Sequence, residues 1–186
     1  MKKLILAVLT VVMLAGCSSG GENKGQLTKN DMCVTQIDSK SKVCYGDSKV
    51  DVEKKIGIGI KGITENFLDY DFGITVMYRD DVVAGLSLKE ESIDIYKTSR
   101  NIGIGDSNET IKEVYSTKYG MENAEQRNLD YFYYTETNSF IGKTTLDSLK
   151  ELEEKEKVYM LSFMFDSEGN ADRIWLTDYK MATIMN

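Results

Sequence analysis

Asn101-Ile102-Gly103-Ile104-Gly105-Asp106-Ser107 lies just past the middle of this 186-residue chain, and its last three residues repeat Gly46-Asp47-Ser48. Each copy opens a short helical pattern. In the second, Asp106 and Ser107 are good N-cap residues, and Asp106 with Glu109 has capping-box spacing. Ile111, Val114, Tyr115 and Tyr119 then fall near one helix face, and Gly120 stands where a helix-ending glycine belongs. The first copy is shorter: Val52 and Ile56 share a face, and Gly57 closes it.

Alternating apolar residues follow each helix at a distance. Phe72, Ile74, Val76 and Tyr78 alternate, Arg79-Asp80-Asp81 turns, and Val82, Ala84, Leu86 and Leu88 return. Later, Leu161, Phe163 and Phe165 alternate, Asp166 to Asn170 turns, and Ile174 and Leu176 return. Leu129 to Thr135 reads as an additional strand. Leu146, Leu149 and Leu152, after a Thr144 or Thr145 cap, predict an inserted helix near 145–157. The expected fold is therefore α+β: two tandem repeats of short helices packed on an antiparallel β-sheet, over 31–98 and 99–186. The glycine, cap and hydrophobic rhythm of 101–120 resemble the helix entry of exported domains of the β-lactamase-inhibitor-protein type, a shape shared with small outer-membrane-assembly lipoproteins. That resemblance implies a helical pair on an antiparallel sheet in each copy. It carries over no functional residue.

The amino terminus supplies an address. Lys2 and Lys3 precede an apolar run from Leu4 to Leu14, which ends in Leu14-Ala15-Gly16-Cys17. The run is shorter than the roughly 20 residues of a spanning helix and has the layout of a cleaved signal. It resembles a bacterial lipoprotein signal with its lipobox. The resemblance implies cleavage of 1–16, diacylation of Cys17, including palmitate, and a chain anchored to the cell membrane on its extracytoplasmic side. The polar stretch 17–30 reads as the lipidated cysteine and a flexible tether.

Loss of Lys2 and Lys3 leaves 21 basic residues against 30 acidic ones, a net charge of −9. That balance argues against nucleic acid, which selects basic patches, and against electrostatic adhesion to anionic lipid. The chain has no histidine, which removes His-based triads, the usual general base and the commonest metal ligand. No cofactor is called for. A Ser-Lys pair, Ser148 with Lys150 or Ser116 with Lys112, is the remaining route to a cell-wall enzyme, and both pairs read as helix surface. The alternating oxygens of Asp166, Glu168, Asn170 and Asp172 read as a hairpin turn rather than a calcium loop, since the closing Glu of an EF-hand is missing. Cys33 and Cys44 flank a segment that would place them opposite one another if it turns at Asp38-Ser39. In an exported chain this predicts a disulfide.

If Leu161, Phe163 and Phe165 face the helices, Met160, Met164, Arg173 and Trp175 point the other way, with Met77 and Tyr133 assigned to the same second side. Exposed Met, Tyr, Trp and Arg concentrate in protein-binding hot spots. The leading expectation is a non-catalytic lipoprotein that binds a protein or envelope component through this open sheet face. The alternative is a small-molecule or peptide receptor with its cleft between the repeats.

Overall fold

The computed structural model describes residues 27–137 and 139–185. The expected signal peptide and the lipidated Cys17 lie outside these residues. The expected tether reaches into them, but Leu27 is already 1% exposed within the core. The folded domain thus begins before residue 31.

Strands β1 (Cys33–Gln36) and β2 (Lys42–Cys44) form the expected hairpin, in which Cys33 stands opposite Cys44. The two are joined by a disulfide across a Cα separation of 4.0 Å. Helix α1 (Lys49–Ile56) follows, with Ser48 Oγ accepting from the Asp51 amide and Gly57 at its end with φ +91°. The chain then lays down β3 (Ile60–Lys61), β4 (Phe67–Tyr70), β5 (Ile74–Arg79) and β6 (Val82–Leu88) as an antiparallel meander. Asp80 and Asp81, both with positive φ, make the β5–β6 turn. Strand β7 (Tyr96–Thr98) leaves the meander and joins β1, giving a small second sheet ordered β2-β1-β7.

Helix α2 (Asn108–Tyr115) is capped by Ser107, whose Oγ accepts from the Thr110 amide. Asp106 does not cap this helix: its carboxylate turns back to the Gly103 amide at 2.7 Å. Asp47 does the same to the Cys44 amide at 3.0 Å. Strands β8 (Met121–Asn123), β9 (Asn128–Tyr134) and β10 (Ser139–Ile141) precede the long hairpin of β11 (Val158–Phe165) and β12 (Ala171–Asp178). The chain ends in α3 (Tyr179–Met185). No inserted α-helix occupies 145–157. Two short 3-10 turns, Ser148–Glu151 and Lys155–Lys157, stand there instead. The Leu spacing of three suits a 3-10 turn, in which i and i+3 eclipse, better than an α-helix.

The protein is thus a mixed α/β molecule with one large antiparallel sheet and few helices. The large sheet has nine strands, eight of them ordered β10-β9-β11-β12-β6-β5-β4-β3, with β8 on β9. The small sheet, α1 and α2 cover its first face. Val34, Val43, Val52, Ile111 and Tyr115 pack there against Ile74, Leu86, Tyr131, Leu161, Phe163 and Ile174. Among the described residues no helix is long and apolar enough to cross a membrane.

Candidate binding surface

The other face of the large sheet is divided along the strand direction. Because β-strands alternate sides, one transverse row on this face reads Asp130, Ser162, Trp175, Ser87, Thr75, Asp69 and Ile60, from β9 across to β3. The next row reads Phe132, Met160, Thr177, Gly85, Met77 and Phe67. Helix α3 lies on that second row. Tyr179 and Ala182 pack with Phe132, Val158, Met160 and Leu149, and Met181 packs with Met77 and Ala84. Gly85 makes room for the contact: a Cβ there would stand 3.0 Å from the Met77 sulfur and 3.3 Å from Met181.

An ion pair fixes the start of α3. The Asp178 carboxylate, 4% exposed, pairs with the Arg79 guanidinium, accepts from the Tyr45 hydroxyl at 2.8 Å, and accepts from the Met181 amide at 2.8 Å. Burial, followed by the hydrogen bond to Asp178, pushes the Tyr45 phenol well above its ordinary range.

Of the six residues expected on one open face, two are therefore covered and one lies on the opposite face. Met77 and Met160 are on the expected side but are 2% and 6% exposed, because α3 covers them. Tyr133 belongs to the opposite face: its register opposite Tyr159 and Phe140 turns it into the main core, and Phe132 takes the second face. Met164, Arg173 and Trp175 remain on the open half. Trp175 and Met164 are half-buried, and Arg173 is exposed.

This open half carries a groove. Across β12, β6, β5 and β4 the side chains run large, small, small, large: Trp175, Ser87, Thr75, then Phe67 on the adjoining row. Ser87 and Thr75 are buried at the bottom. Trp175 and Arg173 form one wall, and Phe67 and Ile63 the other. Lys89 and Asp69, 2.9 Å apart, lie within the same hollow. Burial works against the Asp69 charge, but the Thr75 hydroxyl and the Lys89 ammonium outweigh it and hold its carboxyl below the ordinary value. Further along the row, Asp130 accepts from Ser162 at 2.5 Å and from Asn128 at 3.0 Å. Burial nonetheless raises its carboxyl above the ordinary value. Arg173 makes no ion pair among the described residues, so its charge is available to a ligand. Sequence alternation placed Trp175 and Arg173 on this side. Phe67 and Ile63, which complete the groove, carried no such signal, because their segment lacks a strand-length pattern.

Both lysines of the serine-lysine pairs are engaged by carboxylates. Lys150 is held by Asp147 at 2.7 Å, and Lys112 by Glu122 at 2.8 Å. The 166–170 loop is a turn in which Asp166 Oδ1 accepts from the Glu168 and Asn170 amides. Among the described residues no three His, Cys, Asp or Glu side chains converge as metal ligands do.

No protein-family model and no curated protein matches the chain. The crystal structure of a DUF4309 family protein (YjgB) from Bacillus subtilis is similar at 14% identity, over 83% of this chain and 88% of that one, with a TM-score of 0.39. The likeness is too loose to transfer a site.

Proposed function

We propose that the protein is a lipoprotein, held on the extracytoplasmic side of the cell membrane by lipid on Cys17, that acts without catalysis. It binds a segment of a protein or envelope component in the groove between Trp175–Arg173 and Phe67–Ile63. The observation that carries this reading is an uncommitted arginine beside a half-exposed tryptophan, over a floor of small hydroxyl side chains. Tryptophan and arginine are the residues most enriched among energetic hot spots. The floor supplies hydroxyls for polar pairing, and Arg173 suits a carboxylate on the ligand.

We further propose that the two halves are repeats. Matched hydrogen bonds support this. Gly46 donates to Val83 and Lys49 to Asp81, while Gly105 donates to Ala171 and Asn108 to Gly169. In both cases a helix entry is tied to the turn of a following hairpin. On this reading the groove has one wall from each half, which brings the peptide-receptor alternative and the protein-binding reading to the same site.

The test is a photo-crosslinking amino acid at position 173 or 175 of the protein in its own membrane, with a second set of cells bearing the probe at Leu152. One discrete adduct from 173 and 175 only, abolished by Phe67→Ala, is the expected result. Well-folded protein that gives no adduct, or the same adducts from all three positions, would remove the groove as a binding site.

A further inference from the structure

We propose that the loop 57–63 inserts into the lipid surface, so that the domain lies on the bilayer in one fixed orientation. This rests on the reading of Cys17 as a lipid anchor. Ile58, Ile60 and Ile63 are 84%, 72% and 91% exposed, three large aliphatic side chains within six residues. They cannot turn inward. A Cβ at Gly59 would stand 2.7 Å from the Tyr70 ring and 2.9 Å from the Leu68 Cβ, so the inward side of this strand is already filled. The Ile60–Asp69 register then turns Ile60 to the open sheet face, at the outermost strand of the sheet.

Two observations select a bilayer as the occupant. The first is size. Three side chains on a protruding loop supply far less than the ~800 Å² per partner of a stable protein interface. A bilayer needs no complementary shape and accepts apolar side chains about 5–10 Å into the headgroup boundary. The charges beside the loop are already paired, Lys54 with Asp51, Lys55 with Asp47 and Lys61 with Glu65. The loop therefore presents apolar surface with little net field.

The second is reach. Only nine residues separate Cys17 from the buried Leu27. That length spans at most about 35 Å, while a domain of this size is roughly 40 Å across. An anchored chain thus holds the domain against the lipid on a tether shorter than the domain is wide, and tethering raises the loop's effective concentration at the surface. Because Ile63 also borders the groove, insertion would set the groove mouth beside the membrane, facing partners presented there.

The mature protein, isolated with its native lipid and reconstituted in phosphatidylcholine vesicles containing brominated lipid, supplies the test. Ile60→Trp in a Trp175→Phe background reports loop depth by quenching, and Leu152→Trp in the same background reports a distant surface. At least threefold stronger quenching at position 60, unchanged when phosphatidylglycerol is added, is expected. Equal quenching at both positions overturns the proposal, and so does quenching that appears only with the anionic lipid. The mass of the mature protein shows separately whether Cys17 is acylated. If it is not, the anchor reading fails, and the loop is judged on the unacylated chain. There Ile58→Ser, Ile60→Ser and Ile63→Ser together should lower vesicle partition at least tenfold without changing the melting temperature. Unchanged partition would overturn the proposal.

Discussion

The covered and open halves of the second sheet face are built from the same strands and differ by one step along them. Under α3 the row is Phe132, Met160, Thr177, Gly85 and Met77. One row away it is Asp130, Ser162, Trp175, Ser87 and Thr75. The first row is apolar except for Thr177, has a glycine notch, and receives a helix. The second mixes small hydroxyls with one large aromatic and receives none. Alternation along a strand decides which side of a sheet a residue takes. It says nothing about whether that side is covered, which depends on neighbours from strands far apart in the chain.

This contrast can be broken from the covered side first. Met160→Ala should cost roughly 2–5 kcal/mol, the range for truncating a buried methionine, read from urea unfolding. Trp175→Ala should cost under about 1 kcal/mol, as for a surface change, while abolishing the position-173 crosslink. Comparable losses from the two would mean that the halves are equally part of the core. Asp178→Ala should cost about 3 kcal/mol, because it leaves the partly buried Arg79 unpaired and frees the start of α3. Hydrogen exchange should then rise along β11 at Met160 but not at Phe163 on the other face. Reducing the Cys33–Cys44 bond acts on neither half directly and should lower stability by roughly 2–3 kcal/mol through the unfolded chain, with the groove crosslink retained in the folded fraction.

The smallest effect is a pH dependence confined to the open half. The folded state raises the Asp130 carboxyl above its ordinary value, so the native protein holds that proton more tightly than the unfolded chain. Ionisation therefore disfavours the fold. The Asp130 contribution should fall as pH rises from about 4 through the raised value. Asp130→Asn should accordingly gain stability relative to the parent at pH 7 compared with pH 4, measured as urea midpoints. A parent and variant that change in parallel would show that Asp130 is solvated like a surface acid.

Much of this arrangement was legible in the residues. Ser48 and Ser107 announced both helices, because a cap needs only a side-chain oxygen and an amide three residues on. Cys33 and Cys44 announced their pairing, because a hairpin fixes its own register. The hairpin of Ile74 to Leu88 was legible too, although its bulge between Met77 and Tyr78 turns Ala84 away from Leu86. Three features were hidden for separate physical reasons. Tyr131 to Tyr134 is apolar at every position, so nothing in it says which side Tyr133 takes until β10 and β11 are paired to it. Helix α3 is seven residues long, and its cap, Asp178, looked like the end of a strand. The second sheet joins β1 to β7 across most of the first half, a pairing with no local signature. The groove inherits all three: its arginine and tryptophan were visible, and its extent was not.

The pairing of β6 with β12 has a consequence for how the molecule comes into being. The last strand among the described residues, β12, lies in the interior of the large sheet, between β11 and β6. A polypeptide emerging N-terminus first, from a ribosome or through a translocation pore, would hold two unfinished sheets with bare inner edges until residue 178 was out. Its long-range pairings are of the kind that fold slowly. The β5–β6 and β9–β11 portions of the sheet become one only when β12 enters the gap between them.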